Sequence, residues 1–275
     1  PNGAGKSTTM RMILGLDRPD AGTATINGHS YREMRWPLRE VGALLEARAF
    51  HPGRTARAHL TALAAGNGIR RERVDEVLEI TGLSPAADRR AGKFSLGMAQ
   101  RLGIASALLG DPPVLMLDEP VNGLDPEGVV WIRTLLRSLA AQGRTVLLSS
   151  HLMSEMALTA DRLIIIGQGR LIAQAAMAEF LAAGSGAAVT ARSPQAADLA
   201  ALLAARGATV TRSDGDTLTV TGITASAVGE LASRHAITLT GLGEQQVTLE
   251  DRYMELTRDS AEYRSAPAPA PAGNQ

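Results

Sequence analysis

Apolar residues recur at helical spacing from Ser7 to Leu16, where Met10, Ile13 and Leu14 fall on one face. A turn-rich stretch, Asp17–Gly22, follows, and Ala24–Asn27 before Gly28 reads as a short strand. Val41–Leu45 is a short apolar run that predicts a buried strand. From Thr55 to about Gly110 the spacing is mostly helical, with an amphipathic stretch over Arg70–Ile80 and a stop at Gly82. The period then changes. Val114–Leu117, Thr145–Leu148 and Leu163–Ile166 are continuous apolar runs. A helix over Pro126–Gln142, with Pro in its first turn and Gly143 beyond its end, separates the first two. Strands alternating with helices predict a parallel sheet covered on both faces, an α/β core.

Gly184–Ser185–Gly186 reads as a linker. Beyond it a shorter pattern predicts strands at Ala188–Ala191, Thr209–Arg212, Thr217–Thr221 and Ile237–Leu242, and helices at Pro194–Ala205 and Ala225–Arg234. The second and third strands join through Asp214–Gly215. This βαββαβ order predicts a small α+β domain of the split-βαβ kind. Val247–Thr257 reads as a final helix, and Ala266–Ala272 alternates Pro and Ala as an extended or disordered tail. The expected domains are 1–183, with a helical subdomain at about 55–110, then 187–257, then the tail 258–275.

Composition narrows the function. Twenty-eight basic residues balance 28 acidic ones, which argues against a nucleic-acid binder relying on a strongly basic surface, although a local patch stays compatible. The absence of Cys removes disulfides and thiolate zinc sites and fits a reducing compartment. No apolar run approaches the roughly 18 residues needed to span a bilayer, so a membrane role is expected to run through a separate partner. Only Lys6 and Lys93 among the 28 basic residues are lysines, which makes each less apt to be generic surface charge. Lys93 has no evident chemical role.

Lys6 lies in Pro1-Asn-Gly-Ala-Gly-Lys-Ser-Thr8, and Gly5, Lys6 and Ser7 match the end of the phosphate-loop pattern G-x-x-x-x-G-K-[ST]. The first glycine of the pattern would lie one position before Pro1, so the chain is expected to lack a stretch that precedes the loop. Gly3 and Gly5 suit close backbone approach to phosphate, and the helix that follows adds a positive dipole end. Lys6 can reach the β- and γ-phosphates, and the Ser7 hydroxyl can ligate Mg²⁺. A glycine-rich turn with an incidental lysine is the alternative.

Val114-Leu-Met-Leu-Asp-Glu-Pro120 is an apolar strand ending in two carboxylates. A parallel strand delivers its C-terminal residues to the ligand crevice. Asp118 is placed to hold Mg²⁺ and Glu119 to orient or deprotonate an attacking water. An acid pair at a helix N-cap is the alternative.

The order of motifs resembles the ABC transporter ATPase family. Phe94-Ser-Leu-Gly-Met-Ala-Gln-Arg101 is similar to that family's signature, L-S-G-G-Q-x-Q-R, and lies a short helix before the acidic strand. Asn122-Gly-Leu-Asp125 resembles the D-loop, and Ser149-Ser-His151 the switch histidine. The five elements stand in family order over residues 1–170. The resemblance implies a P-loop NTPase core with a helical signature subdomain and an ATPase that uses ATP and Mg²⁺. The implied nucleotide set is Asn2, Gly3, Ala4, Gly5, Lys6, Ser7 and Thr8, with Glu46, Ser95, Gly97 and Asp125. The implied metal set is Ser7, Asp118 and Glu46, and the catalytic set Glu119, His151 and Lys6. Ser95 and Gly97 would meet the γ-phosphate from a second protomer of a head-to-tail homodimer or heterodimer. His151 would meet it within the same chain, and Asp125 would communicate across the dimer.

Two departures stand out. Leu96 and Met98 replace a Gly and a Gln of the signature, and Glu46 stands where the family's Q-loop has Gln. The segment Ala47–Leu60, with Arg48, Arg54, Arg57, Phe50 and Pro52, falls where the family receives a coupling helix of the membrane partner; a solvated basic loop is the alternative. The whole is expected to be the ATP-hydrolysing subunit of an exporter, peripheral on the inner face of the cell membrane beneath a transmembrane permease. The rival readings are a non-transport ABC ATPase of ribosomes or DNA repair and an inactive nucleotide-binding remnant.

Overall fold

A computed structural model of the 275-residue chain describes residues 3–182, 188–212, 215–245, 249–250 and 253. Asn2, the linker Gly184–Gly186, Asp214, most of the stretch expected as a last helix and the Pro/Ala tail lie outside the described residues. The chain divides into two compact units: residues up to Thr159 with Ile166–Arg170, and Ala160–Ile165 with Leu171 onward.

The first unit begins with α1 (Lys6–Ile13), then α2 (Pro37–Glu40), β1 (Val41–Leu44), α3 (Ala56–Gly66), α4 (Glu72–Ile80), α5 (Leu96–Leu108), β2 (Val114–Asp118), α6 (Pro126–Ala141), β3 (Thr145–Ser149) and α7 (Met153–Thr159). Side-chain caps start three of these helices. Thr55, Ser95 and Asp125 accept from the amides of Ala58, Met98 and Gly128, satisfying donors that a helix end leaves open. β1, β2 and β3 pair in parallel in that order, with Asp118 level with Ser149. Alternation along β2 sends Leu115 and Leu117 into a core shared with α3, α4, α5 and α6, while Met116 packs with Met10 of α1 and with Leu14 just beyond it. Helices therefore cover both faces of the sheet, as the apolar runs require.

α5 lies directly on β1, because Gly42 leaves room for it: a Cβ there would overlap the Ala107 carbonyl oxygen. Among the buried polar groups of this core is His59 on α3, whose Nε2 lies 3.3 Å from Ser106 Oγ and whose ring meets Phe50 edge-on. Burial, aided by the nearby Arg54 charge, pushes the His59 imidazole below its ordinary pKa. Below the unfolded value of about 6.5, the unfolded chain takes up a proton that the folded chain resists, so stability falls as pH drops through that value. Urea unfolding at about pH 7.5 and about pH 5.5 will show a larger loss for the wild type than for His59→Gln.

Three expectations about residues 1–170 are corrected. Leu163–Ile166 is not a strand of the parallel sheet. It belongs to a two-stranded hairpin, β4 (Arg162–Gly167) and β5 (Arg170–Ala176), turned by Gln168 and Gly169 at φ 50° and 70°. Ala24–Asn27 reduces to a single bridge, Ile26 to His29, around a turn with Asn27 and Gly28 at positive φ. The first helix stops at Ile13, before a positive-φ Gly15, and its Arg11 is ion-paired with Asp17 at 2.7 Å.

α8 (Met177–Ala182) precedes the small domain, which comprises β6 (Ala188–Arg192), α9 (Ala196–Ala204), β7 (Thr209–Arg212), β8 (Thr217–Thr221), α10 (Ala225–Arg234) and β9 (Gly241–Gln245). Its strands run β7-β8-β6-β9, all antiparallel, the split-βαβ arrangement read from the sequence. Val189, Ala191, Leu218 and Val220 meet Leu199, Leu203, Val228 and Leu231 in one core. The last strand begins at Gly241 rather than Ile237. Ile237 is buried in the helix-side core, and Thr238 is held by Gln195 and Ser193 instead of a neighbouring strand.

Candidate functional site

The lysine loop ends in Gly5, which takes a left-handed conformation (φ 100°) immediately before α1. Ala4 is buried, and its carbonyl accepts from the Gly169 amide at 3.0 Å, so the hairpin tip braces the loop from behind. Thr9 closes the first turn, its amide and hydroxyl both donating to Gly5 O. Lys6 is half-buried, and Ser7 and Thr8 are exposed. The short run Lys-Ser-Thr thus stands at the positive end of a helix that packs on β2, the strand carrying the two carboxylates.

Glu46 is exposed in the loop after β1. Arg11 lies one turn beyond Ser7 on the same face of α1. Asp17 holds the Arg11 guanidinium above its ordinary pKa, and Glu46 adds to that shift at longer range. The carboxylate that replaces the family's Gln therefore comes with a cation in electrostatic reach. Sequence reading missed Arg11, which looks like ordinary surface charge in an amphipathic helix.

At the tip of β2 the geometry is tight. Ser149 Oγ donates to Asp118 Oδ1 and accepts from the Glu119 amide at 3.0 Å. Glu119 has φ 49°, a left-handed conformation that costs a non-glycine residue about 1 kcal/mol or more. Its carbonyl accepts from Gln100 Nε2 at 3.1 Å and from the Asn122 amide at 3.2 Å. Its carboxylate Oε2 is 2.8 Å from His151 Nδ1. The Glu119 side chain is 20% exposed and that of His151 is 51% exposed, so the pair opens to solvent at the imidazole. Asp118, Glu119 and His151, three sequence candidates, thus form one constellation. A carboxylate held at a water-accessible edge can take a proton from water.

Ser95 is exposed and caps α5, with Met98 N at 3.2 Å from its Oγ. Gly97 is the second residue of the helix, where a Cβ would come within 2.8 Å of the Gly123 carbonyl oxygen. Only glycine allows the signature helix to meet the Asn122–Asp125 loop this closely. Asp125 is occupied within the chain as the cap of α6. Arg101, the last residue of the signature, stacks 4.3 Å over Trp131 and donates to Thr81 O at 3.0 Å, fixing α5 between α4 and α6. Lys93 is exposed, away from these contacts.

Comparison with known proteins fits this arrangement. Residues 1–122 match the family model described as ABC transporter, and residues 187–250 match one described as a domain of unknown function. The bacitracin transport ATP-binding protein BcrA of Bacillus licheniformis is 46% identical over 174 residues, 62% of this chain and 57% of that protein. The Nod factor export ATP-binding protein I of Burkholderia orbicola (strain AU 1054) is 42% identical over 183 residues, 64% of this chain and 60% of that protein. The chain spans about three fifths of the length of these curated relatives. A solved ATP-binding subunit of an ABC transporter superposes with a TM-score of 0.60 at 29% identity, over 66% of this chain and 77% of that one. The ATP-binding cassette MJ0796, solved as a dimer in a post-hydrolysis state with ADP and Pi, shares the fold with a TM-score of 0.59 at 24% identity, over 64% of this chain and 82% of that one. Over residues 1–122 the chain is therefore similar to the ABC transporter family, and its relatives are ATP-binding proteins of such transporters.

Proposed function

We propose that this chain is the ATP-hydrolysing subunit of an ABC exporter, working as a dimer of cassettes under a separate transmembrane permease on the inner face of the cell membrane. The observation that carries the reading is the constellation at the ends of β2 and β3: Asp118 held by Ser149, and Glu119 paired with His151. It is the arrangement that hydrolysis of a triphosphate needs, one carboxylate for the metal and one for the water. The relatives named for bacitracin transport and Nod factor export support the export direction. Among the described residues no helix is long and apolar enough to cross a membrane, which suits a subunit that drives a partner.

In this reading the loop amides from Gly3 to Thr8 and the Lys6 ammonium bind the phosphates. Ser7 and Asp118 would hold Mg²⁺, with Glu46 behind them. The donor set fits that ion: hard hydroxyl and carboxylate oxygens, few of them. Mg²⁺, when bound, neutralises charge on the phosphate oxygens. Glu119 accepts the proton of the attacking water, and His151, turning from Glu119 toward the phosphate, stabilises the charge that develops there. Ser95 and the Gly97 amide, on the exposed start of α5, close the second protomer's nucleotide.

Lys6→Ala will weaken ATP binding about 30-fold, corresponding to about 2 kcal/mol for a charge-assisted contact to phosphate. Calorimetry with ATP and Mg²⁺ measures it, and unchanged affinity would refute the loop's role. Co-purification with a polytopic membrane protein, rather than with ribosomes, is the expected outcome for the partner.

A further inference from the structure

Both polar groups of the Glu119 peptide are held by side chains from outside its own turn. Ser149, at the end of β3, takes the amide at 3.0 Å, and Gln100, in α5, gives its Nε2 to the carbonyl at 3.1 Å. Gln100 is 3% exposed, so this amide is buried among apolar neighbours and directed at one acceptor. A buried side-chain amide placed on a backbone carbonyl in the left-handed region does more than fill space. Without the donor, the Glu119 carbonyl keeps only the Asn122 amide of its own turn, so the left-handed conformation is held less firmly and the carboxylate gains room to swing.

We propose that Gln100 is a positioning residue for hydrolysis: its amide fixes the peptide of Glu119 and thereby ties the signature helix to the hydrolytic carboxylate of the same chain. This rests on the ATPase reading above. The linkage is short and stiff. Gly97 and Gln100 are one helical turn apart on α5, whose N-terminus is the surface that would meet the second protomer's nucleotide. Closure of α5 on one nucleotide is thus transmitted, through a single hydrogen bond, to the carboxylate that serves the other. The bond acts on the geometry of attack and not on nucleotide affinity, because Gln100 touches neither loop nor phosphate position. A displacement of about 1 Å in a reacting group is worth up to about 100-fold in rate.

Gln100→Met in the full chain keeps length and volume and removes the donor. Its kcat for ATP is expected to fall about 10- to 30-fold, with KM and ADP affinity within about twofold of wild type. Wild-type kcat, or equal losses in kcat and ADP affinity, would overturn the proposal. In a Ser149→Ala background the same substitution is expected to cost only about twofold, since the peptide is already loosened; full additivity counts against a shared target. A readout independent of turnover separates this inference from the ATPase reading. Amide hydrogen exchange across Asp118–Asn122 is expected to accelerate about tenfold in Gln100→Met, and unchanged protection there sinks the proposal whether or not the chain hydrolyses ATP. Should Gln100→Met prove unstable, Gln100→Leu, which also removes the donor, carries the same three measurements.

Discussion

Glu119→Gln will stop ATP turnover and leave the nucleotide bound. The substitution is isosteric and keeps an oxygen or nitrogen within reach of His151, so the β2 tip keeps its shape. The backbone clamps from Ser149 and Gln100 do not involve the side chain at all. What disappears is the carboxylate proposed to accept a proton from water. General-base catalysis contributes about 10²- to 10⁴-fold, and the expected drop in kcat lies in that range or beyond. ATP affinity, supplied by the loop and α1, is expected to hold. The uncleaved nucleotide is then expected to keep two protomers together, read as an ATP-dependent dimer by sedimentation. Turnover at the wild-type rate in this variant would remove Glu119 from the mechanism.

Gly42→Ala will destabilise the first unit by about 3 kcal/mol, among the larger effects open to a single methyl. The added Cβ would collide with the carbonyl of Ala107, a backbone group near the end of α5 that no rotamer change can move. Relief requires α5 to lift from β1, and α5 carries both Ser95 and Gln100. The loss in urea midpoint is therefore expected with a loss of hydrolysis greater than the fraction unfolded accounts for. Gly66→Ala, at the end of α3 with nothing within 4 Å of the added atom, is the control and is expected to be neutral or slightly stabilising.

How far the sequence discloses this molecule depends on how local the signal is. The helix over 126–141 was legible within a residue, because Pro126 and Gly143 mark its two ends with backbone requirements of their own. The strand over Val114–Asp118 was legible because its apolar run, Val114–Leu117, packs into cores on both faces of the sheet. The hairpin strand over 162–167 was misread for a related reason. Leu163, Ile165 and Gly167 are buried, but Ile164 on the other face is apolar too and 57% exposed, which gives a one-sided strand the look of a central one. The Gln168–Gly169 turn beside it was the better clue. At the site, Asp118, Glu119 and His151 were legible because strand ends deliver them. Gln100, Ser149 and Arg11 were not, since their roles depend on which carbonyl, amide or carboxylate the fold brings opposite them.

The brace between Ala4 and Gly169 bears on how the molecule is made. During synthesis Ala4 leaves the ribosome about 165 residues before the glycine that steadies it. At about 5–20 residues per second, that interval is roughly 10–30 seconds. Throughout it the lysine loop has its helix but not its backing, so the nascent chain passes through a period in which it carries the nucleotide-binding motif without the support that sets its shape.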